Sequence, residues 1–141
     1  FIHLLVLIYL LFFSERYGRT LGTGEYRYNL VPFAEIKRYI IYSDRFTSEL
    51  FLINIVGNML AFVPFGFLIP LINSDYRNVF KVSLLSMFFS TLVEVVQLLS
   101  KVGSFDVDDI ILNTLGGFIG ALIYYIINGV MRYKRKSARR K

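Results

Sequence analysis

The sequence predicts an all-α fold: a polytopic bundle of about four transmembrane helices, the first truncated, with one short amphipathic helix at the membrane interface. Three observations carry that expectation. Of 141 residues, 55 % are hydrophobic and only 18 % charged, where an ordinary soluble domain has about 25 % charged residues. A chain this short has too little interior to hide so much apolar surface from water. Several apolar runs also reach the roughly 17–25 residues that a helix needs to cross a bilayer. Finally, the basic residues gather beside those runs, as topology signals do. The 141 residues are read as one domain.

The first apolar run, Phe1–Phe13, is interrupted only by His3. Thirteen helical residues rise about 20 Å against a hydrocarbon core of about 30 Å. The run is therefore read as the remainder of a truncated span. A signal-peptide core is the competing reading, but Phe12-Phe13-Ser14-Glu15 is not a small-x-small cleavage site. The connection Ser14–Glu49 follows. Within it, Asn29-Leu-Val-Pro-Phe33 leads into a segment ending at Tyr42, where Phe33, Ile36, Tyr39 and Ile40 share one helical face. That pattern predicts an amphipathic helix lying on the membrane surface. With ten tyrosines and no tryptophan, tyrosine must supply the interfacial aromatic belt.

The second span is expected at 50–74, with no charge between Glu49 and Asp75. The third is expected at 79–100, where Glu94 is the one charge from Val82 to Ser100, and the fourth at 110–128, which carries none. The tail 129–141 holds seven basic residues and no acid. The tight connection between the second and third spans adds Arg77 and Lys81. Seven more are dispersed on the other side, mostly among acids of the 14–49 loop. The dense clusters decide the orientation: tail cytoplasmic, long loop and Asp106–Asp109 outside.

Composition also excludes chemistry. With no cysteine and a single histidine, the chain has no disulfide, no thiolate metal site, no His-based triad and no multi-His zinc site. The net charge of +6 is concentrated in the tail and points to a lipid surface rather than nucleic acid.

The polar residues inside the spans are the informative ones, because polar groups in hydrocarbon are costly and turn toward the bundle interior. Ser83, Ser86, Ser90, Glu94 and Gln97 are spaced 3, 4, 4 and 3 apart, one stripe of a helix. Asn54, Gly57, Asn58 and Ala61 form a similar face on the second span, and Asp109, Asn113, Gly116, Gly117 and Gly120 on the fourth. Small residues four apart let helix backbones approach closely. Alternating span direction brings Asn54, Asn58, Glu94, Gln97, Asp109 and Asn113 to one membrane side, where the connecting loop adds Asp106 and Asp108. The serines and glycines have packing as their plainer reading, the asparagines interhelical hydrogen bonding, and Asp108 or Asp109 capping of the fourth helix. Glu94 is the hardest to explain by packing, since an ionisable group at that depth is expensive.

These residues resemble a family. Asn29-Leu-Val-Pro-Phe33, Asn54-Ile-Val-Gly-Asn58 with Phe62-Val-Pro-Phe-Gly66, Glu94-Val-Val-Gln97, Asp106-Val-Asp-Asp109 and Asn113-Thr-Leu-Gly116 are similar, in order, to the VanZ-like family. The resemblance implies a bacterial multi-pass protein of the cytoplasmic membrane and cell envelope, linked to reduced susceptibility to the glycopeptide teicoplanin. Two functions are open. In the first, Glu94, Gln97, Asp109, Asn113, Asn54, Asn58 and Asp106 line an outward polar pocket. That pocket binds a lipid, a lipid-linked wall precursor or a lipoglycopeptide, with no cofactor. In the second, Glu94, Asp106, Asp108 and Asp109 hold a divalent cation such as Mg²⁺, as oxygen ligands suit, in a small membrane enzyme acting on a lipid-linked or phosphorylated substrate. The sequence leans away from catalysis, because no motif for a nucleophile or a phosphate cradle is present.

Overall fold

A computed structural model of the protein describes residues 26–41, 55–101 and 104–138. Phe1–Phe13, Asn54 and the start of the second expected span lie outside the described residues. The elements run β1 (Arg27–Asn29), α1 (Ala34–Ile41), α2 (Gly57–Ile72), a 3₁₀ turn (Ser74–Tyr76), α3 (Val79–Ser100), β2 (Ser104–Asp106) and α4 (Val107–Ala138).

Each boundary has a local cause. Asn78 opens α3 by accepting from the amides of Phe80 at 2.8 Å and Lys81 at 3.3 Å, satisfying donors that a helix start leaves over. The α3 helix ends at Lys101, whose left-handed φ of 57° turns its amide back onto the carbonyls of Gln97 and Leu98. α2 has no side-chain cap at its start. α4 is capped by Asp106, whose carboxylate accepts from the Asp108 amide at 2.8 Å. The sequence offered Asp108 or Asp109 for that cap; Asp106 takes it because it stands one residue before the first helical turn. α4 also continues to Ala138, beyond the apolar run that ends near Asn128. The basic tail residues Arg132, Lys134, Arg135 and Lys136 therefore ride on nearly three further helical turns.

The bundle is built polar inside and apolar outside. Among the described residues the buried polar and charged side chains are Asn58, Ser86, Ser90, Glu94, Gln97, Asp106, Asp108 and Asn113, and they outnumber the buried hydrophobic ones. Large apolar side chains such as Leu60, Phe80, Phe88, Leu99 and Ile126 are 58–70 % exposed. In water such a surface would aggregate; in a bilayer it is the solvated one. α3 and α4 are both long and apolar enough to cross a membrane, with rises of about 33 and 48 Å at 1.5 Å per residue. Hydroxyls along them are satisfied within their own helix, Ser83 by Val79, Ser86 by Val82, Thr91 by Met87 and Thr114 by Ile110, so they carry no open donor into lipid.

Glycines set the distance between helices. A Cβ at Gly116 would overlap the Met59 carbonyl, one at Gly120 the Val63 carbonyl, and one at Gly66 the Gly117 carbonyl. One at Gly117 would strike the Ser86 hydroxyl of α3. Three helices thus meet around Gly117, with Phe62 buried beside Ala61, Phe65 and Val93. The Gly116–Gly120 face is the one the sequence marked; Gly66, the α2 half of the same seam, stood in the Phe62–Gly66 motif without an assigned role.

The sequence showed no strand, yet β1 and β2 pair in parallel with Arg27 opposite Ser104, Tyr28 opposite Phe105 and Asn29 opposite Asp106. This short ladder ties the segment before α1 to the α3–α4 connection. It also decides which residues can meet at that end of the bundle.

Candidate functional site

The residues that the sequence singled out gather where α3 ends and α4 begins, in a ladder of hydrogen bonds. Deepest is Asn113, fully buried, whose Nδ2 donates to Ser90 Oγ at 2.8 Å. Its Oδ1 is buried with no hydrogen-bond partner among the described residues. Next, Asn58 Nδ2 of α2 donates to Asp109 Oδ1 at 2.5 Å, joining α2 to α4. Glu94, 1 % exposed, accepts at Oε2 from the Asp106 amide at 3.0 Å. It therefore fastens the start of α4 to the end of α3. Gln97 is buried beside it on the same face.

Asp106 has a second duty. Besides capping α4 it accepts from Asn29 Nδ2 at 3.2 Å, while Asn29 Oδ1 accepts from the Val31 amide at 3.1 Å. One asparagine thus shapes the turn into α1 and ties it to α4. Burial pushes the Asp106 carboxyl above its ordinary value. The Asp108 amide and Asn29 act against that shift, the nearby Asp108 charge adds to it, and Arg38 lowers it.

Asp108 caps a helix other than its own. Its carboxylate, 1 % exposed, accepts from the Phe33 amide, from the Glu35 amide at 2.9 Å and from the Ile36 amide at 3.4 Å. The left-handed φ of 64° at Phe33 belongs to the residue just before α1, whose amide is among those donors. An anion at that place meets both the orphan amides and the helix dipole. Losing such a cap costs about 0.5–2 kcal/mol, and Asp108→Ala would also leave these amides without their acceptor. The expected result is release of α1, read as faster amide hydrogen exchange over Glu35–Ile41 with α3 and α4 unchanged.

A cavity of about 350 Å³ opens beside this ladder. Asp106, Asp108 and Asp109 line it from α4 and its cap. Glu35 and Arg38 line it from α1, and Arg27 and Ser104 from the strand pair; Ile36, Ile55 and Leu112 complete its wall. Of the residues expected in an outward pocket, Asp106 and Asp109 reach this cavity. Glu94, Gln97, Asn113 and Asn58 are buried and do not line it, Glu94 and Asn58 being bonded to the lining residues Asp106 and Asp109, and Asn54 is outside the described residues. Among the described residues no three acid or histidine side chains are grouped to hold a metal ion. Glu94, Asp106 and Asp108 instead accept from backbone amides.

Arg27 and Arg38 were not singled out as site residues, because each sits in the 14–49 connection far from Asp106 in sequence. The signal that could have found them is that a cluster of acids at a membrane boundary needs basic partners. Arg38 Nη2 pairs with Glu35 Oε2 at 2.5 Å. Burial raises the Glu35 carboxyl above its ordinary value, Arg38 lowers it, and Asp106 and Asp108 add repulsion that raises it.

Both raised carboxyls have one consequence for pH. A group whose folded pKa lies above its unfolded one binds its proton preferentially in the fold, so it favours folding below that window and loses this contribution as pH rises through it. Carbon-detected titration of the Asp106 and Glu35 carboxyls should show midpoints above the ordinary aspartate and glutamate ranges. Mild acidification from neutral pH into that window should tighten, not loosen, the α1–α4 junction.

An inside-out helical bundle with long apolar helices and a polar cavity at one end defines a membrane protein. Its family is shown by comparison: the VanZ/LLP1 family model matches residues 1–128, and the chain belongs to that family. It is 28 % identical over 142 residues to Protein VanZ of Enterococcus faecium, covering 95 % of this chain and 76 % of that relative. No solved structure matches the chain.

Proposed function

We propose that the protein works without catalysis in the bacterial cell envelope and contributes to reduced susceptibility to teicoplanin-type glycopeptides. It does so by binding a lipid, a lipid-linked wall precursor or the lipoglycopeptide itself in the cavity between α1 and α4. The supporting observation is the neighbourhood of that cavity. Its polar wall adjoins an apolar strip on the same segment, where Leu30, Val31, Phe33, Ile40 and Ile41 are 49–69 % exposed. A polar headgroup in the cavity leaves its apolar tail over that strip, so an amphiphile satisfies both surfaces at once. In this reading the spans cross the cytoplasmic membrane, the cavity faces outward, and the basic tail faces the cytoplasm.

Two measurements test it. The chain has no tryptophan and no cysteine, so each introduced probe is alone. Ile40→Trp puts an indole on the exposed apolar strip beside the cavity. A brominated-acyl lipid precursor or teicoplanin should quench it saturably in nanodiscs, and an absence of quenching by either ligand sinks the pocket. For orientation, a membrane-impermeant thiol reagent applied to cells should label Leu30→Cys and spare Ser137→Cys; the opposite pattern reverses the topology.

A further inference from the structure

Resting on that reading, we propose that Arg27 makes the cavity a receptor for the phosphate group of its ligand, with Ser104 as the flanking donor. The acids of the cavity are already engaged. Asp106 and Asp108 accept from amides, Asp109 from Asn58, and Glu35 pairs with Arg38. Arg27 differs: it lines the same cavity and is exposed, and its guanidinium makes no hydrogen bond or ion pair among the described residues. The strand register sets it opposite Ser104, which also lines the cavity. A planar guanidinium beside a hydroxyl offers several donors to a tetrahedral oxyanion, and guanidinium forks match phosphate bidentately. β1 is held through its backbone pairing and through Asn29, so this donor set does not depend on ligand for its position. The carboxylates behind repel a second negative charge. A phosphate is therefore taken at the mouth, on the side of Arg27 and Ser104, with the apolar strip of α1 next to it.

The test uses the full chain in maltoside micelles, labelled at Ser137→Cys, with binding read by thermophoresis. The probes are dioleoyl phosphatidic acid, dioleoylglycerol and inorganic phosphate. Phosphatidic acid should bind at least about tenfold more tightly than dioleoylglycerol, one charge-assisted pair being worth that much. Arg27→Gln should remove that advantage. Arg27→Lys should keep part of it, since the charge remains and the fork is lost. A double change in the tail, Arg132→Gln with Arg135→Gln, should leave it intact. Equal binding of the two lipids, a silent Arg27→Gln, or loss that follows the tail change instead would overturn the phosphate assignment while leaving an amphiphile pocket standing. Arg27-dependent binding of inorganic phosphate as tight as that of phosphatidic acid would support the phosphate site and overturn the amphiphile reading. Binding of no probe overturns both.

Discussion

Gly120→Leu is expected to abolish the folded bundle. A Cβ at Gly120 already overlaps the Val63 carbonyl and crowds Phe67 N of α2 at 2.8 Å. These are backbone atoms of a packed helix and cannot swing aside as a side chain does. Accommodation requires α2 and α4 to separate, which breaks the Gly116–Met59 and Gly66–Gly117 contacts along the same seam. Overpacking costs about 1–3 kcal/mol where side chains can adjust, and this case lies at or beyond the upper end. Gly129→Leu is the matched control, because nothing lies within 4 Å of a Cβ there. Both variants insert the same residue into the same helix. Purified in detergent, Gly129→Leu should remain monodisperse and melt as the unmodified protein does. Gly120→Leu should aggregate or melt far lower. Equal behaviour of the two would mean that the seam does not hold the helices together.

That seam was legible in the sequence because it obeys a period. Gly116 and Gly120 stand four apart, and Ser86, Ser90, Glu94 and Gln97 fall on one stripe. In lipid the polar and small residues turn inward, so helical spacing alone names the interior face. All four of those α3 residues are buried. The loop end of the bundle carries no such period. Three-residue strands have no period to read, and Asn29 meets Asp106 across 77 positions. Nothing local says that Asp108 will cap α1 instead of α4; an aspartate in a first helical turn looks like a cap for its own helix. The cavity depends on both facts. The strand pair brings Arg27, and the borrowed cap brings Glu35 and Arg38. The sequence therefore marked the supporting wall of the site and missed the cationic half of its lining.

Glu94 shows the difference between a costly residue and a contacting one. Its depth in α3 made it the strongest functional candidate by sequence. In the structure it does not line the cavity but accepts the Asp106 amide at 3.0 Å, and Asp106 in turn caps α4 and holds Asn29. It is a positioning residue: it sets where β2 ends and where α4 begins. Glu94→Ala leaves that buried amide without its acceptor, a loss of about 1–3 kcal/mol, and removes most of a buried side chain from the α3–α4 contact. Glu94→Gln keeps an oxygen at the same reach, so the Asp106 amide retains its acceptor. The expected result is a split between the two. Glu94→Ala should lower the melting temperature by several degrees and weaken ligand quenching of the indole in an Ile40→Trp background at least about tenfold, the equivalent of about 1.4 kcal/mol. Glu94→Gln should melt within about 1 kcal/mol of the parent, as a surviving hydrogen bond allows, and bind within a factor of about three. If Glu94→Gln instead melts normally and loses binding, the carboxylate acts through its charge on the ligand. Glu94 would then belong to the binding surface and not to its support.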